Sequence, residues 1–167
     1  MTIVGIDPGY AIVGYGAVEF KSNAFKTLEY GAVTTPAGMS FDKRLAVIDR
    51  EITELMARRK PDSIAVEKLF FNTNQKTAID VAQARGVMIV AAARLGIPVF
   101  EYTPLQVKTA VVGYGRAEKE QVQEMTRIIL GLDKVPRPDD VADALAIAIC
   151  HSHSSSSGQW TVNCKLM

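Results

Sequence analysis

The chain has 167 residues, 48% of them hydrophobic and 22% charged, with a formal net charge of +1. That length supports one full core, and the composition is that of a globular protein rather than a disordered or fibrous one. The longest apolar stretch, 86–93, meets Arg94 far short of a membrane span, and Met1-Thr-Ile-Val-Gly5 has no basic segment ahead of an apolar core, so neither a membrane anchor nor a secretory signal is expected. Cys150 and Cys164 then read as free thiols of a cytosolic protein. The near-zero charge does not by itself point to nucleic acid. It does include four acids that bound divalent cations would neutralise, which would leave the chain basic overall.

In chain order, residues 2–7 read as a short buried strand, closed by the turn Pro8-Gly9. Alternation predicts strands over 12–20 and 25–34, with Ser22-Asn23 as the turn, so the chain opens with a three-strand meander. Ser40 or Asp42 caps a helix over 42–59, whose apolar stripe is Leu45, Ile48, Ile52, Leu55 and Met56 and which Pro61 closes. A strand over 63–67, a polar loop over 72–75, a long helix over 76–95 and a strand over 97–102 follow, with Gly96 between the last two. Pro104 opens a short helix over 104–111, Gly113-Tyr-Gly115 is a loop, and a helix over 117–130 ends at Gly131. Beyond Pro136 and Pro138 a last helix spans 139–151. From Ser152 on, the serine-rich tail reads as solvated and mobile, which gives one domain over 1–153 and a flexible tail over 154–167. The expected fold class is α/β: a mixed five-stranded sheet with helices on both faces.

Four carboxylates stand out in this frame. Asp7 and Glu67 each end an apolar strand, at the C-terminal edge where open α/β sheets build their sites. If the first and fourth strands are parallel neighbours, the two acids are adjacent. Asp140 and Asp143 form an i,i+3 pair on an apolar helix, where like charges repel. A helix N-terminus explains Asp139 and Asp140 through the dipole, but not Asp143, which enters an apolar stretch. Asp139 competes with Asp140 on spacing alone. Acids so placed are costly unless a cation neutralises them, and oxygen-only ligand sets suit Mg²⁺ or Mn²⁺. Two-metal cleavage of a phosphodiester is the chemistry that most often uses such a set. His151 and His153 lie near Cys150, with Cys164 beyond, but their spacing fits no common zinc pattern.

The ordered set Gly-Ile-Asp-Pro-Gly (5–9), Ala-Val-Glu-Lys-Leu-Phe-Phe (65–71), Gln-Ala-Arg-Gly (83–86), Gln-Val-Lys (106–108), Ala-Glu-Lys (117–119) and Asp-Val-Ala-Asp-Ala-Leu-Ala-Ile-Ala (140–148) resembles the RuvC family of Holliday-junction resolvases, over 2–153. The resemblance implies an RNase H-like fold, a homodimer, and Mg²⁺-dependent nicking of four-way DNA junctions, with a RuvA–RuvB branch-migration complex as partner. By it, Asp7, Glu67, Asp140 and Asp143 match the catalytic acids, Asp140 at a position where some members carry His. Phe70 is implied as a residue that stacks on unpaired bases, and Lys108 and Lys119 as lysines near the scissile phosphate. Lys76, Arg85 and Arg116 are further candidates for phosphate contacts. The apolar surplus of the helix over 76–95 would pair with a second subunit.

Three rivals stand beside this reading. The opening Gly5 to Gly14 also resembles the phosphate-gripping hairpin of actin-like ATP-handling proteins, but no second such hairpin follows. A non-catalytic junction-binding module would not need all four acids. A nuclease acting on RNA–DNA hybrids would share the acids but not the motifs around them.

Overall fold

The computed structural model describes residues 1–69 and 75–156. Its order is β1 (Thr2–Asp7), β2 (Ile12–Lys21), β3 (Ala24–Thr34), α1 (Phe41–Arg59), β4 (Ser63–Glu67), α2 (Gln75–Arg94), β5 (Val99–Tyr102), α3 (Pro104–Val112), α4 (Lys119–Ile129) and α5 (Asp139–Ser156). The five strands form one mixed sheet in the order β3-β2-β1-β4-β5. β1, β2 and β3 form the antiparallel meander, while β4 runs parallel to β1 and β5 parallel to β4. Crossovers through helices make the parallel half possible, as the alternation of helix and strand after residue 40 requires.

The sheet separates two cores. On one face Ile48, Ile52, Leu55 and Met56 of α1, with Ala84, Met88 and Ala91 of α2, cover Val4, Ile6, Ile64 and Val66. On the other, α5 lies across Ile3, Val18 and Ala65 and supplies Leu145, Ile147 and Ile149, flanked by Val107 of α3 and Val122 of α4. β1 and β4 are buried on both faces, which is why they read as continuous apolar runs rather than alternating ones.

Element ends follow local chemistry. Lys60, in the left-handed conformation at φ 46°, closes α1 just before Pro61. Thr103 caps α3: its Oγ1 accepts from Gln106 N at 3.2 Å, and Gln106 Oε1 accepts from Thr103 N at 2.8 Å. α4 begins at Lys119 rather than 117 because the Gln121 side chain turns back to accept from the Glu118 backbone N–H at 2.8 Å. β5 begins at Val99 rather than 97. The Ile97 N–H still bonds Ala92 O at the end of α2, and Pro98 has no N–H to give to the sheet.

The last helix departs most from expectation. It continues through the serine run to Ser156, and Ser152, expected to be solvated, is fully buried. Three hydroxyls turn back onto the helix itself: Ser152 donates to Ile149 O at 2.7 Å, Ser154 to Cys150 O at 3.0 Å and Ser155 to Ser152 O at 2.8 Å. His151 is buried as well, with Nε2 2.8 Å from Ser63 Oγ and Nδ1 2.7 Å from the Tyr102 hydroxyl, so it links α5 to β4 and β5.

Candidate active site

The parallel ladder pairs Ile6 of β1 with Val66 of β4, so Asp7 and Glu67 emerge side by side at the same sheet edge. Across the other flank of β1, Asp7 is paired with Gly14 of β2. Three glycines on this surface let α5 settle directly on the backbone. A β-carbon at Gly14 would lie 1.9 Å from Asp140 O, one at Gly5 would lie 2.0 Å from Ala144 O, and one at Gly16 would lie 2.4 Å from Leu145 Cδ2. No side chain fits those gaps, so the first turns of α5 press onto β1 and β2 beside Asp7. This docking carries Asp140 and Asp143 to the strand-end acids.

Electrostatics record the approach. The Asp7 carboxyl is pushed up to about 8, first by burial and then by the negative fields of Glu67, Asp143 and Asp140, against a smaller opposing pull from Lys119. Burial also raises Glu67, with Asp143 adding to the shift and Lys119 opposing it. Asp143 is raised by burial and by Asp139 and Asp140, although Lys119 Nζ lies 3.1 Å from its Oδ2. Among the described residues no three metal-ligating side chains converge on one point. The donors are nevertheless all carboxylate oxygens, partly desolvated and mutually repelling, and such a set fits a hard divalent cation.

The cation already present is Lys119, at the start of α4. It spans Asp143 and Asp139, the latter at 3.4 Å, and these acids hold its ammonium above the ordinary range despite the cost of burial. Asp139 is also tied to Arg137; burial pushes its carboxyl up, but Lys119 and Arg137 together outweigh that and hold it below the usual range. Asp140, not Asp139, is the neighbour whose field reaches Asp7. A cavity of about 270 Å³ opens beside the acids, with Glu67, Asp143, Lys108 and Lys119 at its polar side and Val107 and Val122 at its apolar side.

The other candidates are dispersed. Arg116 is exposed in the segment between α3 and α4. Phe70 lies outside the described residues, as does the side chain of Lys76. Arg85 differs from a phosphate contact. Its side chain is only 13% exposed, it is paired with Glu101 of β5, and its Nε donates to Glu67 O at 3.3 Å. Burial lowers its guanidinium from the ordinary value. Two contributors escape a sequence reading: Gly14, which admits α5, and Glu101, which occupies Arg85. The signal for the first was the run Gly5, Gly14 and Gly16 in otherwise apolar strands.

A family model described as crossover junction endodeoxyribonuclease RuvC matches residues 3–151. Among curated proteins, a crossover junction endodeoxyribonuclease RuvC of Ruminiclostridium cellulolyticum is 57% identical over 158 residues, 95% of this chain and 95% of that protein. One from Clostridioides difficile is 59% identical over 155 residues, 93% of this chain and 92% of that protein. Among solved structures, Thermus thermophilus RuvC in complex with a Holliday junction substrate superimposes with a TM-score of 0.92 at 38% identity, over 100% of this chain and 99% of that one. A Fowlpox virus resolvase, at 16% identity and a TM-score of 0.60 over 91% of this chain and 99% of that one, shares the fold.

Proposed function

The chain belongs to the RuvC family of crossover junction endodeoxyribonucleases, and on that premise we propose that it resolves Holliday junctions in DNA recombination and repair by paired, divalent-metal-dependent nicking. The observation that carries the reading is Asp7: a half-buried acid pushed up to about 8 and surrounded by Glu67, Asp143 and Asp140, at the edge of an RNase H-like sheet. Such a group is stable in its charged form only beside a cation. Mg²⁺, with Mn²⁺ as a substitute, would be held by Asp7, Glu67, Asp140 and Asp143, and would supply the Lewis acidity that activates water and stabilises the leaving oxygen.

The remaining roles belong to the chain's own side chains. Asp140 is favoured over Asp139 because its field reaches Asp7, while Asp139 is occupied by Arg137 and Lys119. Lys119 and Lys108, at the mouth of the cavity, neutralise charge that develops on the scissile phosphate. The shared edge of β1 and β4 holds the acids rigidly, so the phosphate is oriented by the scaffold rather than by a moving loop. Phe70 would stack on unpaired bases at the crossover. The products would be 5′-phosphate and 3′-hydroxyl ends.

A two-fold dimer would present two such sites to two strands of like polarity. α2 supports this. Ile79 and Val90 are 55% and 54% exposed, and a groove of about 480 Å³ between α1 and α2 is lined by Leu45, Val87 and Val90. A RuvA–RuvB complex and a cytoplasmic setting complete the reading; no described helix is long and apolar enough to cross a membrane.

The test is a nicking assay on a four-way DNA junction with a mobile core, with Mg²⁺ or EDTA, a linear duplex control and the Asp7→Asn variant. Paired Mg²⁺-dependent nicks in the junction alone, lost in the variant, support a resolvase. Tight junction binding without cutting in Mg²⁺ or Mn²⁺ would leave a binding module instead.

A further inference from the structure

Arg85 reaches out of the middle of α2 to two strands at once. One guanidinium donates from Nε to the Glu67 carbonyl at 3.3 Å and from Nη2 to the carboxylate of Glu101. Glu101 is paired with Val66 in the β4–β5 ladder, and Glu67 with Tyr102. The ladder's last bond is the Lys68 N–H to Tyr102 O at 2.9 Å, after which the chain leaves the sheet. Arg85 therefore grips, from its carbonyl side, the same Glu67–Lys68 peptide whose N–H makes that last ladder bond.

A buried ion pair is weak evidence of a stabilising role, because an apolar pair of similar volume serves stability as well or better. What the planar fork supplies is direction. Glu101 holds the guanidinium, whose Nε bond to the Glu67 carbonyl, with the ladder bond on the other side of the same peptide, fixes its tilt, and that tilt sets where the Glu67 carboxylate points. Side chains 13% and 15% exposed and already bonded to each other are also poorly placed to meet DNA.

We infer that Arg85, braced by Glu101, is a positioning residue for Glu67: it aims that carboxylate at the metal and phosphate, and it is not a phosphate contact. The inference rests on the reading of Glu67 as a metal ligand given above.

The test compares full-length Arg85→Lys, the double variant Arg85→Met/Glu101→Leu and a Glu67→Gln control with the parent protein on a four-way junction. Three quantities are read: junction binding against salt concentration in EDTA, single-turnover cleavage against Mg²⁺ concentration, and thermal unfolding. Arg85→Lys keeps the charge beside Glu101 but loses the planar fork; the double variant keeps the packing and removes both charges. Expected are junction binding within about 2-fold of the parent with the salt slope unchanged, cleavage reduced about 10- to 100-fold, and a Mg²⁺ midpoint moved to higher concentration, the behaviour of residues that orient metal ligands. A salt slope reduced by about 1 in Arg85→Lys or the double variant, with cleavage restored at higher protein concentration, would make Arg85 a phosphate contact and overturn the inference. So would a lowered Tm with an unmoved Mg²⁺ midpoint, the mark of a purely structural pair. Should Glu67→Gln cleave normally, the ligand reading of Glu67 fails and the inference goes with it. If Glu67→Gln is inactive while the Arg85 variants cleave like the parent, the positioning role alone is refuted.

Discussion

Gly14 lies so close beneath Asp140 that a β-carbon there would stand 1.9 Å from the Asp140 carbonyl oxygen. Both partners are backbone, so neither can swing aside. Gly14→Ala should therefore lift α5 off β2 and carry Asp140 and Asp143 away from Asp7. The expected cost is about 1–3 kcal/mol of stability, as for overpacked cores, and about 100-fold in cleavage, as for a displacement near 1 Å. Gly38→Ala, where nothing lies within 4 Å, should be close to neutral on both counts. Denaturation midpoints and junction nicking of the two variants check this.

Asp7 trades stability for function. Its carboxyl is pushed up to about 8 by burial and by the neighbouring acids, so ionising it in the folded protein is unfavourable without a cation. With its carboxyl at about 8, folding at neutral pH requires Asp7 to take up a proton; Asp7→Asn removes that requirement with little change in shape. In EDTA at neutral pH the variant should melt about 2–5 °C above the parent, while junction cleavage is abolished and junction binding, which rests on phosphate contacts, is kept. An unchanged or lowered Tm in EDTA would contradict the charge argument.

Lys119 lowers the proton affinity of Asp7, Glu67 and Asp143 together. Removing its charge lets all three hold protons to higher pH. Lys119→Met should therefore move the acid limb of the pH–rate profile to higher pH as well as lower the plateau by about 10²-fold, as for loss of one charge-stabilising donor. A lower plateau with an unmoved limb would confine Lys119 to the phosphate.

The buried His151 gives stability a distinct acid limb. Burial lowers its pKa from 6.5 to about 4, so the folded state holds the ring neutral while the unfolded state takes up a proton first. A depressed base destabilises on acidification. The loss begins below about pH 6.5 and is complete below about pH 4, where it amounts to roughly 3 kcal/mol. Unfolding free energies measured across that window should fall with pH in the parent protein and fall less steeply in His151→Gln.

Much of the architecture was legible because it depends on local pattern. Continuous apolar runs marked β1 and β4, and the acids at their ends were visible as residues that such strands do not normally carry. What decided the site's assembly was not local. Gly14 looks like any glycine in a strand until α5 is laid against it. Arg85, in the middle of α2, reads as a candidate phosphate contact in the sequence, where its partner Glu101, supplied by a different element, cannot be seen. The serines after Cys150 looked solvated, since sequence does not reveal hydroxyls turned back onto carbonyls of their own helix. The side chain of Phe70, outside the described residues, stays with the proposal.

The acids come from β1, β4 and α5, and α5 is the last element among the described residues. The earliest residues synthesised must wait for the latest ones before the cluster exists. Contacts of such long sequence separation form late in folding. A ribosome-bound or truncated chain that stops before α5 would carry Asp7 and Glu67 but neither Asp140 nor Asp143. Completion of the acid cluster therefore requires the first and the last of the described elements to meet.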